Sequence, residues 1–243
     1  MLDMILDCSC PESAKKSLSK IFNTTEEQLI SAIRSVRQDD SDYQPPQDVI
    51  YSYICEIFGA PYGDVKITWF HGTRVEDESL FYKKGILPKS IVRRSLAPRL
   101  KELAKDLKHS GENPFSVSLS GKQDPHDEGP FAFLIKDVAI HAPGFTHSYL
   151  EAPEMVEDIA GILLGENYSQ LVNRFKEITK PFIVSFTSES KGYELRYALW
   201  YLKLIEDGYT LIDAASAANT CYCSNGKTIP PEKIQNVELV QIV

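Results

Sequence analysis

The stretch "ITWFHGTRV", Ile67 to Val75, decides how the rest of the chain is read. It opens with alternating β-branched and aromatic residues, the pattern of a strand. It ends with His71, Gly72, Thr73 and Arg74 in a row. Two readings compete. In the first, this is an ordinary strand end, with His71 hydrogen-bonded in the core and Gly72 in a turn. In the second, it is the rim of a site for a polar ligand. A glycine lets a ligand approach the backbone closely. His71 and Thr73, two apart on an extended chain, point to the same side. Arg74 offers a bidentate clamp for phosphate or carboxylate.

The whole chain has 243 residues, with 43% apolar and 25% charged side chains. That length and composition fit a globular chain with a full core, either one large domain or one domain plus a small extension. The net charge of -8 argues against a global pull toward nucleic acid but leaves room for a local basic patch. Arg93, Arg94, Arg99, Lys101, Lys105 and Lys108 make the most basic stretch. Apolar runs such as "FAFLI" and "AGILLG" are too short to cross a bilayer. The start "MLDMILDCSC" lacks the basic region and cleavage pattern of a signal peptide, so a cytoplasmic protein is expected. Cys8, Cys10, Cys55, Cys221 and Cys223 form an odd set, which favours reduced thiols. The pairs "CSC" and "CYC" have one intervening residue, whereas zinc knuckles use two or more, so no metal is expected.

Residues 1–62 read as a helical N-terminal extension. Two helices lie in "CPESAKKSLSKIFNTTEEQLISAIRSVRQ", the second capped by Thr24 or Thr25 with Glu27 or Gln28 three residues on. "VIYSYICEIFG" is a third, closed by Gly59. Residues 63–243 read as one α+β domain with a mixed or antiparallel sheet. Its expected strands are "VKITWF", "FSVSLS", "PFAFLI" (without a polar face, so buried on both sides), "PFIVSFT" and "VELVQIV". Its expected helices are "EDESLFYKKGI", a helix within "SIVRRSLAPRLKELAKDLKHSG", "APEMVEDIAGILLG", "NYSQLVNRFKEITK" and "GYELRYALWYLKLIEDG". "DAASAANTCYC" gives no clear signal. Neither of the usual glycine-rich phosphate loops is present.

A strand ending in H-G-T, followed by a helix and "KKGILP", resembles the opening of ADP-ribosyltransferases and of the related RNA 2'-phosphotransferases. The likeness covers roughly Lys66 to Leu134. "WFHGTRV…GILP", "GPFAFLIKD" and "Y-x-x-x-P-E-x-V-E-D", Tyr149 to Asp158, also look like a set of bacterial proteins with no established activity. The resemblance implies an ADP-ribosyltransferase-like fold and NAD as substrate. It implies that His71 holds a ribose hydroxyl, that the backbone at Gly72 and Thr73 meets the nicotinamide amide, and that Arg74 meets a phosphate. Tyr82, Tyr149 and Ser118 are the candidates for stacking on or lining the nicotinamide pocket. A protein or nucleic-acid acceptor is implied, in a toxin or defence effector, with the basic stretch from Arg93 to Lys108 as its dock. No membrane partner is expected.

The family's remaining element is a glutamate at the start of a late strand, beside the developing positive charge. Glu189, Glu194, Glu238, Glu154 and Glu157 are the candidates here, and none stands clearly at a strand start. Glu154 is taken as the catalytic carboxylate. Glu154, Glu157 and Asp158 share one helix face, as a metal or acid–base cluster would, although Asp and Glu also favour any first turn. That ambiguity keeps two rivals open: a non-catalytic nucleotide- or partner-binding module on the same fold, and, more weakly, a metal-dependent hydrolase.

Overall fold

The computed structural model describes residues 4–37, 44–116, 128–144 and 146–241. Among them are six strands and ten α-helices. The strands are β1 (Met4–Leu6), β2 (Val65–Val75), β3 (Phe131–Phe133), β4 (Lys180–Glu189), β5 (Cys221–Cys223) and β6 (Ile234–Leu239). The order in the sheet is β5-β3-β2-β4-β6, with β1 also paired to β2. β1 runs parallel to β2, Met4 facing Val65, whereas β2–β3 and β4–β6 are antiparallel. The protein is therefore α+β with a mostly antiparallel sheet, and the expected N-terminal helices are present.

By contacts the chain divides into two compact units. The first comprises Met1–Phe70, Phe133–Thr146 and Thr187–Cys221; the second comprises His71–Ala132, His147–Phe186 and Tyr222–Val243. The first unit is built on α9 (Glu194–Glu206), which packs against α1 (Pro11–Ile21), α2 (Glu26–Ser35), α3 (Pro46–Phe58) and α10 (Leu211–Ala218). Leu195, Leu199, Tyr201 and Leu202 recur at helical spacing and are buried, which is why this amphipathic run forms the central helix. Thr25 and Gln28 make the reciprocal capping box that starts α2. α6 (Lys136–His141) completes this unit.

The second unit holds α4 (Ser79–Lys84), α5 (Lys89–Leu103), α7 (Glu154–Leu164) and α8 (Tyr168–Ile178). Leu100, Val156, Ile159, Leu164, Leu171 and Phe175 lie in one buried cluster joining α5, α7 and α8. Gly85 closes α4 at φ +71°, and a Cβ there would stand 1.8 Å from the Ile229 carbonyl oxygen. Only glycine permits that crossing, where the backbones of Ile86 and Ile229 exchange hydrogen bonds at 2.9 Å.

Several sequence expectations change. The six strands of the described residues are four of the five expected, with β1 at the apolar start and β5 at "CYC" added. "PFAFLI" is a strand for only three residues, and Phe131 is half-exposed rather than buried. Leu134 and Ile135 are buried but lead into α6, whose inward residues Val138 and Ala139 continue the apolar run. Of "FSVSLS", residues 117–120 lie outside the described residues, and Phe115 sits in a turn, its ring edge-on to Tyr168 at 4.8 Å. "DAASAANTCYC" becomes α10 and β5.

Candidate functional site

β2 changes character at its midpoint. From Val65 to Phe70 nearly every residue is buried; from His71 to Val75 buried and half-buried positions alternate. His71 and Thr73 occupy the half-buried face, as their spacing predicts. Gly72 and Arg74 occupy the opposite, buried face. Gly72 is therefore a strand residue and not a turn residue. Strand parity separates the four residues of "HGTR" into two pairs.

His71 Nδ1–H donates to the Phe131 carbonyl oxygen at 2.7 Å. A carbonyl only accepts, so this bond fixes the tautomer and leaves Nε2 as an acceptor. Burial lowers the pKa of His71 from its ordinary 6.5, and the Phe131 carbonyl opposes that shift only in part. These are the two causes of the shift; no carboxylate among the described residues acts on the imidazole. His71 is thus a neutral ring with a hydrogen-bond acceptor on a half-buried strand face.

Arg74 is 8% exposed and bound on every side by protein. Nη1 donates to the Leu150 carbonyl at 2.7 Å. Nη2 donates to the carbonyls of Lys176 and Thr179 at 3.1 and 2.9 Å, and Nε to Thr179 Oγ1 at 3.2 Å. Four of its five N–H donors are thus committed. Thr179 Oγ1 in turn donates to the Phe175 carbonyl at 2.6 Å. The last carbonyls of a helix lack intrahelical partners, and a cation is favoured there. Arg74 supplies both needs at the end of α8. Burial lowers its pKa from the ordinary arginine value, opposed by Glu151, which is itself ion-paired to Lys176. The phosphate clamp expected of Arg74 is therefore not on offer: its fork faces away from His71 and is already filled.

The segment that Arg74 pins through Leu150 carries His147 and Tyr149, whose rings meet edge-to-face at 4.8 Å. His147 Nε2–H donates to the Ala152 carbonyl at 2.7 Å and lies 4.0 Å from Glu157 Oε2. Glu154 and Glu157 stand in the first turn of α7, where a helix favours acids, and Asp158 is buried one turn on. Among the described residues no group of three or more His, Cys, Asp or Glu is placed to hold a metal ion.

The other candidates are scattered. Tyr82 on α4 is 53% exposed, and Ser118 lies outside the described residues. Glu194 is buried at the start of α9, where its carboxylate accepts from Ser190 Oγ at 2.8 Å and from the Lys191 N–H at 3.0 Å. That is a capping role within the first unit. Glu189 ends β4 and Glu238 lies in β6. A small cleft of about 130 Å³ is lined by Val36, Ile50, Trp200 and other residues of the first unit, none of them a candidate from the sequence. Among the described residues no disulfide forms and no helix is long and apolar enough to cross a membrane.

The functional residue that sequence reasoning misplaced is Arg74. The signal was present: counting by twos from His71 puts Thr73 on its face and Arg74 on the other. Its partners Leu150, Lys176 and Thr179 carry no motif, because the guanidinium reads their backbone. Comparison with protein-family models, with curated proteins and with solved structures gives no match for this chain.

Proposed function

We propose that the chain is an ADP-ribosyltransferase-like protein that binds NAD at the second half of β2. The observation that carries this reading is the state of His71: neutral, fixed as the Nδ1–H tautomer by Phe131, with Nε2 available as an acceptor. A ribose hydroxyl is the matching donor. Thr73 on the same face adds a hydroxyl. Bound NAD supplies the nicotinamide leaving group and the ADP-ribosyl electrophile. The chain's part is to orient the ribose at His71 and to keep Arg74 holding the Tyr149 segment in place. ADP-ribose then passes to a protein or nucleic-acid acceptor, or to water.

A second reading, a non-catalytic nucleotide- or partner-binding module, is favoured by one specific observation. No described carboxylate acts on His71, and Glu154 begins a helix rather than a strand. The catalytic role given to Glu154 thus rests on the resemblance alone.

Thermal unfolding with NAD separates these. Ligand at a hundredfold its dissociation constant adds about 2.7 kcal/mol to folded-state stability, which raises the Tm by a few degrees. The expected result is a shift in the wild type that is lost in His71→Ala, with nicotinamide released on prolonged incubation. A shift without nicotinamide release selects the binding module. No shift at millimolar NAD rejects both nucleotide readings.

A further inference from the structure

The two faces of β2 treat charge differently. On one, His71 Nε2 forms no hydrogen bond among the described residues, and the Nδ1–H bond to Phe131 leaves it a lone pair to offer. Nε2 therefore pairs with a donor and repels another acceptor. The residues that share this face are Ile67, Trp69, Thr73 and Val75, none of them a cation. Burial and the Phe131 carbonyl act on the imidazole, and no charged group among the described residues does. Arg74, the cation beside it in sequence, lies on the other face with its fork filled by the carbonyls of Leu150, Lys176 and Thr179.

Resting on the nucleotide reading above, we propose that His71 selects an adenosine ribose with free hydroxyls against one that carries a 2'-phosphate, and that protonation of the ring weakens and then reverses this selection. A hydroxyl donates to the Nε2 lone pair. A phosphate monoester presents acceptor oxygens to it, with a charge of about -1.5 to -2 at neutral pH. Sites built around a hydrogen bond discriminate sharply, because the wrong group leaves a desolvated partner unpaired. The chain's net charge of -8 adds a further repulsion. A proton on Nε2 changes the sign of the argument. The imidazolium is a donor at both nitrogens, so it no longer accepts from a hydroxyl and instead meets a phosphate oxygen through a charge-assisted bond. NAD is thus preferred while the ring is neutral, and NADP, its 2'-phosphorylated form, gains once the ring is charged.

The test is isothermal titration calorimetry of NAD and NADP against the wild type and His71→Gln, at about pH 7.5 and about pH 5, on either side of the histidine range. At the higher pH the wild type should bind NAD at least about tenfold tighter than NADP. At the lower pH NAD should weaken and NADP tighten, so that the ratio falls at least about fivefold. The amide of His71→Gln offers both a donor and an acceptor and does not titrate. This variant should bind the two nucleotides with nearly equal affinity, at a ratio that pH leaves in place apart from the titration of the phosphate itself. The difference between the two proteins therefore belongs to the ring. Equal affinities in the wild type at the higher pH overturn the selection, and so does a ratio that moves by the same factor in His71→Gln. The wild-type comparison at two pH values stands without the variant, should His71→Gln fail to fold. If neither nucleotide binds, the nucleotide reading and the selection fall together; if both bind alike, the selection falls and the reading stands.

Discussion

Arg74 and the Arg93–Arg94 pair present the same side chain in opposite settings. Arg74 is buried, its fork filled by the carbonyls of Leu150, Lys176 and Thr179. Arg93 and Arg94 are exposed on α5 without an ion pair among the described residues. Residue type does not separate them. What separates them is whether the backbone around them leaves acceptors that only a cation can satisfy. A guanidinium taken out of water must find partners for its donors, whereas one in water need not. The first is therefore an architectural residue, and the second pair is available to a ligand.

Substitutions should widen or collapse that contrast. The largest effect is expected at Arg74. Arg74→Met leaves three buried carbonyls without their donor and should cost about 3–5 kcal/mol in urea unfolding. Arg74→Lys keeps the charge but not the fork and should recover only part of the loss. A cost below about 1 kcal/mol for Arg74→Met would show that the carbonyls find other partners, and the contrast would fail. Next comes Thr179→Val, which removes one acceptor from Arg74 and one donor to Phe175; the expected cost is about 1–2 kcal/mol by the same measurement.

The pH dependence of His71 follows. Its folded pKa lies below the 6.5 of the free side chain. Below 6.5 the unfolded chain therefore binds more protons than the folded one, and stability falls with pH. The contribution is complete above 6.5 and is lost as pH drops through the folded value. Thermal scans of the wild type and His71→Gln should run parallel above that point and converge below it. The NAD-induced shift should fade over the same acidic range, as Nε2 gains a proton and ceases to accept. The smallest effect belongs to α5, where R93S/R94S/K101S should leave the Tm unchanged. A clear drop would mean that these arginines have structural partners after all.

The helices were the most legible part of the molecule. α1, α2, α4 and α7 to α9 follow from apolar spacing, caps and closing glycines, all of which are local. Short elements were less so. β1 and β5 have three residues each, too few for an alternation to register, and they exist because β2 and β3 pair with them, whereas β3 was read as a strand but too long. The candidate site was half legible. That His71 and Thr73 share a face follows from the period of a strand. That Phe131 fixes the His71 tautomer does not, because the contact joins residues 60 apart through a backbone atom that every residue possesses.

The sequence by itself determined which segments are helical, where β2 runs, and which residues of "HGTR" share a side. These depend on periodicity and on neighbours a few positions away. Tertiary structure alone decided which of two adjacent polar roles each residue takes. It made Arg74 a buried cap for the end of α8 and left Arg93 and Arg94 in solvent, because the cost of burying a charge is set by acceptors that folding brings from distant parts of the chain.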